Sequence, residues 1–221
     1  MRRPMQKLVE GLHKFKAEVF NENQALFQPL VDEQRPDVLF ITCSDSGVAP
    51  NLMTQTDPGE LFILRNAGNI VPPYGPWTGG EAAAVEFAVL GLAVRHIIVC
   101  GHTSCSAMSA LLDPSRLADA PAMRAWLDHA EATRRVVEEN YEHVTGPARL
   151  TVTVEENVLT QIEHLRSHPV VRSRVARGDL ALHGWVYKQE TGEVFQYDPK
   201  LAQFVALSRP PRNPTQPPRS R

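Results

Sequence analysis

The chain has 221 residues, with 23 Lys and Arg against 25 Asp and Glu, a formal net charge of −2. That size suits one α/β domain with a substantial core. The near-neutral balance, with no basic stripe interleaved with aromatics, argues against a nucleic-acid surface, and the lack of any run of about eighteen apolar residues argues against a membrane-spanning helix.

In chain order, Leu8, Val9, Leu12, Phe15, Val19 and Phe20 recur at helical spacing over residues 5–20 with charged residues between them. They predict an amphipathic helix whose stripe packs on its own domain or on a partner subunit. Its Lys7, Glu10, Lys14 and Lys16, following Arg2 and Arg3, do not read as an export signal. Residues 23–32 form a second short segment stopped at Arg35-Pro36, so residues 1–36 read as a helical arm.

The apolar run Val38-Leu39-Phe40-Ile41 predicts a buried strand leading into Cys43-Ser44-Asp45-Ser46-Gly47. Residues 50–54 read as a short helix or turn, Leu61-Phe62-Ile63-Leu64 as the next strand, and Pro72-Pro73-Tyr74-Gly75-Pro76 as a rigid loop. After Gly79-Gly80 residues 81–92 are helical, and a third strand over 96–100 delivers Gly101-His102-Thr103-Ser104-Cys105. Residues 104–112 are expected to be helical with Cys105 in the first turn, and residues 121–141 to form one longer helix. The β-branched stretch Leu150-Thr151-Val152-Thr153-Val154 predicts a fourth strand, with a helix over 155–167, and residues 180–188 and 193–197 flank Thr191-Gly192 as a hairpin. The order predicts an α/β fold over residues 37–206, a mainly parallel central sheet covered by helices. Residues 207–221, rich in Pro and Arg, read as a disordered tail.

Each Cys/His segment follows a predicted strand, and parallel neighbours would bring both to the crevice beyond their carboxyl ends, where open α/β sheets hold ligands. Cys43, His102 and Cys105 then offer two thiolates and an imidazole, the donor set of zinc. Asp45 is an ambiguous fourth: if it binds, water is excluded and the site is closed. The residues alone leave two readings open, a zinc centre or a pair of buried thiols. Cys100, inside an apolar strand, reads as core. Three cysteines, an odd number, speak against a disulfide framework and for a reducing, cytoplasmic setting.

These motifs together resemble the β-class carbonic anhydrases. Cys43-Ser44-Asp45-Ser46, Arg65-Asn66-Ala67-Gly68-Asn69, Gly79-Gly80-Glu81, Cys100-Gly101-His102-x-x-Cys105 and His183-Gly184-Trp185-Val186-Tyr187 stand in that family's order, over roughly residues 5–206. Gln6-Lys7-Leu8-Val9-Glu10-Gly11-Leu12 and Glu131-Ala132-Thr133-Arg134-Arg135 look most like its cyanobacterial, carboxysome-associated branch. The resemblance implies reversible hydration of carbon dioxide to bicarbonate by zinc-bound hydroxide, with Zn2+ on Cys43, His102 and Cys105. It gives Asp45 as either a zinc ligand or a catalytic group swung away from the metal, and Gln34 as a hydrogen-bond donor to substrate in a neighbouring subunit. It also implies a homodimer or multiple of dimers, with the N-terminal helix lying across the partner. A carboxysomal location, or a protein partner for the tail, follows from the same branch.

The sequence departs from that pattern at Gly47, where the family has the Arg that pairs with Asp in the open state. Without that charge-assisted partner, Asp45 is expected to bind the zinc as a fourth ligand, or the open form to be poorly maintained, leaving hydration weak or silenced. Two alternatives follow: an inactive zinc-binding scaffold, or a hydrolase of carbonyl sulfide or carbon disulfide. Ser106 replaces the Gly usual after the second Cys ligand. A family bicarbonate site is matched by Arg65 and Tyr187 but not by Phe40, which stands where a Trp would be.

Overall fold

A computed structural model of the chain describes residues 4–75 and 79–208. The tail from residue 209 onward, and Pro76 of the proline-rich loop, lie outside the described residues. The strands are β1 (Val38–Cys43), β2 (Leu61–Asn66), β3 (His96–His102), β4 (Ala181–Tyr187), β5 (Val194–Asp198) and β6 (Gln203–Ala206). They form one sheet in the order β2-β1-β3-β4-β5-β6, parallel from β2 to β4 and antiparallel from β4 to β6.

The parallel strands are runs of Val, Ile, Leu and Phe because both of their faces are covered. Leu39, Ile41, Ile97 and Val99 face a large helical layer, while Phe40, Ile98 and Cys100 face a smaller cluster with Met53, Leu61, Ile63 and Trp185. Helix α1 (Pro4–Lys14), continued by a wider turn over Phe15–Phe20, opens the chain, followed by α2 (Gln24–Phe27) and α3 (Pro29–Asp32). Its stripe is uncovered within one chain: Leu8 is 59% and Leu12 68% exposed. Then come α4 (Pro50–Thr54), α5 (Gly80–Glu86), α6 (Ser106–Leu112), α7 (Pro121–Leu127) and α8 (Glu131–Asn140). The last helices are α9 (Gly146–Ser167) and α10 (Pro169–Ala176). None of the described helices is long and apolar enough to cross a membrane.

Four expectations are corrected. Residues 150–154 belong to α9, not to a strand, because tertiary packing overrides their β-branched preference. Val154 and Val158, one helical turn apart, seat on the bare backbone of the sheet: a Cβ at Gly101 would lie 2.9 Å from both side chains, and one at Gly184 2.9 Å from Val158. The Thr153 hydroxyl is satisfied inside the helix by the Arg149 carbonyl at 2.7 Å. The helix expected over 121–141 is broken into α7 and α8 by a tighter turn over Asp128–Ala130. The C-terminal hairpin carries a third strand, β6. Finally, Cys105 lies before α6, not in its first turn.

The close seating of α9 generates a prediction. Gly184→Ala inserts a methyl between β4 and Val158 and is expected to destabilise the fold by about 1–3 kcal/mol. Urea unfolding should show a lower midpoint at an unchanged slope, and a midpoint equal to wild type would contradict the packing described.

Candidate metal centre

β1 and β3 run level, with Val38 opposite His96 and Thr42 opposite Cys100, so their carboxyl ends deliver Cys43 and His102 side by side. The chain then turns through Ser104, whose φ of 58° reverses its direction, and Cys105 follows in an extended conformation at the start of α6. That reversal brings Cys105 back to Cys43. The Sγ atoms are 3.9 Å apart, and the three ligand atoms of Cys43, His102 and Cys105 lie within 4.8 Å of one another, all three residues buried.

The geometry fits zinc. Two Zn–S bonds of about 2.3 Å at a tetrahedral angle span about 3.8 Å between sulfurs, close to the separation observed. His102 Nδ1 lies 2.8 Å from the Thr103 carbonyl, which can only accept, so Nδ1 carries the proton and Nε2 keeps its lone pair. Nε2 is buried without a hydrogen-bond partner among the described residues, an expensive arrangement for a polar atom unless a ligand meets it.

The thiols are electrostatically distinct. Cys43 is drawn down to about 4, chiefly by its hydrogen bond with Cys105, helped by His102 and by the Gly68 N–H at 3.4 Å. Cys105 is pushed up by the same hydrogen bond and by burial. Burial pulls His102 down, but the adjacent Cys43 sulfur and the Thr103 carbonyl outweigh it and leave the imidazole above its usual value. Cys100 is unlike either: fully buried between Thr42 and Trp185, it is pushed up to about 12 by burial and behaves as core.

Asp45 sits beside this group and is not one of its three members. Its Oδ1 accepts the Gly47 N–H at 2.8 Å and the Gln189 side-chain amide at 3.0 Å. The first of these, then the second, holds the carboxyl below the usual carboxylate range. Arg65 clamps the same loop through its backbone, donating to the Cys43 carbonyl at 3.1 Å and the Asp45 carbonyl at 2.6 Å. Gln34 is exposed between α3 and β1, at the far end of β1 from Cys43.

Several supporting residues carry no signal in the motifs. The loop after β2, whose Gly68 N–H faces Cys43, is held by Trp126 on the Ala67 carbonyl at 2.8 Å and by Asn157 on the Gly68 carbonyl at 2.9 Å. Gln161 joins Asn157 at 2.9 Å and accepts the Val71 N–H at 2.9 Å. Asn157, Gln161 and His164 are one turn apart on α9. A polar stripe at helical spacing, inside the helix expected over 155–167, was the available clue. Away from the centre, His96 Nδ1 and His183 Nε2 meet at 3.1 Å, a pair without a third ligand among the described residues.

Metal binding at this centre should depend on pH. Cys105 is shifted upward in the metal-free chain, so zinc must displace a proton that its thiol holds near neutrality. Affinity is expected to rise with pH between 6 and 8, roughly tenfold per unit for each proton displaced. A competition titration against a chromophoric chelator measures this, and a flat profile would mean that the ligands are already deprotonated.

The family model for carbonic anhydrase matches residues 38–194, which contain every residue of the centre. A carbonic anhydrase of Synechocystis is 51% identical over 91% of this chain and 74% of its own length. The solved β-carbonic anhydrase CcaA superposes with a TM-score of 0.91 at 50% identity, over 93% of this chain and all of that one. One of two tetrameric β-carbonic anhydrases from Sordaria macrospora superposes with a TM-score of 0.79 at 26% identity, over 87% of this chain and 95% of that one. The two thiols, the unpartnered imidazole nitrogen and the sheet that presents them are thus those of a known lineage: the chain belongs to the carbonic anhydrase family, in its zinc-dependent β-class.

Proposed function

We propose that the centre reversibly hydrates carbon dioxide to bicarbonate, with Zn2+ on Cys43, His102 and Cys105 and with Asp45 acting beside it. One observation carries the reading: two thiols and an imidazole converge in a buried crevice, and the imidazole Nε2 has no hydrogen-bond partner among the described residues. Zinc with three protein ligands keeps a fourth position for water and lowers that water's pKa towards about 7, supplying the nucleophile that hydration requires.

The chain's own residues orient and hold. The Thr103 carbonyl fixes the His102 ring through its Nδ1 proton. Arg65 pins the backbone on either side of Ser44. With Oδ1 of Asp45 occupied by two N–H donors, Oδ2 is the oxygen left to accept a hydrogen bond from the reacting side, and the depressed pKa keeps it an acceptor near neutral pH. On this reading Asp45 stays off the metal despite the absence of a side chain at Gly47, and hydration is not silenced.

Gln34 fits a role in another subunit's site, because β1, which spans roughly 16 Å, separates it from Cys43 of its own chain. The same assembly would cover the exposed stripe of α1, and the tetrameric Sordaria relative supports it. The three free cysteines suit a reducing, cytoplasmic setting. Docking of residues 207–221 on a carboxysomal partner is part of this proposal and rests on the cyanobacterial resemblance of the motifs alone.

Stopped-flow hydration assays test the chemistry. The zinc-loaded chain is expected to be active, to lose activity on chelation and to regain it with zinc. His102→Ala should cost more than the roughly 10–100-fold typical of residues that only support ligands. A wild type that holds one zinc per chain without hydrating carbon dioxide would instead favour a scaffold. The assembly is tested separately by light scattering. Leu8→Asp with Leu12→Asp removes two side chains each worth about 1.5–3 kcal/mol when buried, so the dimer dissociation constant should rise at least about 100-fold. An unchanged dimer would show that the stripe is not the interface.

A further inference from the structure

The volume that a side chain at residue 47 would fill is already occupied. A Cβ built on Gly47 overlaps the Gln189 amide nitrogen, lies 3.3 Å from Gln189 Cδ and stands 3.1 Å from Asp45 Oδ1. Gln189 comes from the turn between β4 and β5, and that turn is fastened to the metal loop. Its backbone N–H donates to the Thr103 hydroxyl at 3.0 Å, and that hydroxyl donates to Glu190 at 2.7 Å. The Thr103 N–H in turn donates to the Tyr187 carbonyl at 3.0 Å. Both ends of the Gln189 residue are therefore fixed, the backbone on the loop between His102 and Cys105 and the amide on Asp45.

We infer that Gln189 is the positioning residue for Asp45: its amide, inserted from the β4–β5 turn into the space left at Gly47, holds Oδ1 away from the Cys43–His102–Cys105 group and keeps the fourth metal position open. Gly47 and Gln189 then act as a matched pair. The missing side chain on one loop admits the amide from another, and the Gly47 N–H supplies the second donor to the same oxygen. A carboxylate released from both would lie next to a divalent cation, the strongest counter-charge nearby. This inference rests on the zinc-centre reading proposed above and adds the group that keeps the carboxylate off the metal.

Cobalt-substituted protein titrated with azide, followed by visible absorption, reports directly whether an outside ligand can enter the fourth position. Wild type is expected to bind azide. Gln189→Ala should bind it about tenfold or more weakly, since losing a hydrogen bond to a charged group frees Asp45 to compete. Gly47→Ala, which displaces the Gln189 amide without touching it chemically, should act in the same direction. Adding Asp45→Asn to either variant should restore azide binding, because the neutral amide is a poor competitor for the metal.

Unchanged azide affinity in Gln189→Ala overturns the inference. So does a weakening that Asp45→Asn fails to rescue, because general loosening of the turn would not depend on the carboxylate. Failure of the wild type to bind azide overturns it as well. Carbon dioxide hydration by the wild type is measured in parallel: an inactive enzyme that still shows the azide pattern refutes the proposed activity and leaves the positioning role standing.

Discussion

Thr42 lies opposite Cys100 across two parallel strands that end level with one another, and the placement of the metal ligands depends on that register. Were β3 shifted by one residue, its side chains would exchange faces relative to β1, and Cys43 and His102 would no longer leave the sheet where their ligand atoms now converge. The register is held where it can be held most firmly, in strands buried on both sides. The Thr42 hydroxyl reinforces it by donating to the Cys100 carbonyl at 2.9 Å. Beyond the strand ends that carry Cys43 and His102 the surroundings of the centre are loop, tied back by hydrogen bonds to Trp126, Asn157 and the β4–β5 turn.

Helix α9 does much of that tying. Its apolar side rests on Gly101 and Gly184, so it lies unusually close to the strands that carry His102 and Tyr187. Its polar stripe turns towards the loop after β2, where Asn157 and Gln161 bond the backbone of Gly68 and Val71. Buried amides are costly unless fully paired; here the pairing fixes the N–H that faces the Cys43 sulfur. A helix that looks like packing material is therefore part of the support of the thiolate.

The ligands were legible in the sequence because each stands directly after a run whose composition announces a buried parallel strand, and Cys, His and Cys are the residue types zinc selects. The fold class was legible for the same reason. Residues 150–154 were not, since a β-branched run is ambiguous until the bare glycines it packs on are known to be adjacent. Gln189 was less legible still. It is 144 residues from Asp45, belongs to no motif, and touches the carboxylate only because β4 pairs with β3 and brings the following turn over the metal loop. The absence of a side chain at Gly47 could be read directly; what fills the space could not.

All three ligands lie within residues 43–105, whereas Gln189 and Glu190, which grip the metal loop and its neighbouring carboxylate, arrive more than eighty residues later on a surface hairpin. Surface hairpins are where insertions and deletions normally accumulate without consequence. This one is an exception in the architecture. Adding or removing a single residue between Tyr187 and Val194 would leave every ligand and every core strand untouched, yet change what the metal loop and Asp45 are attached to.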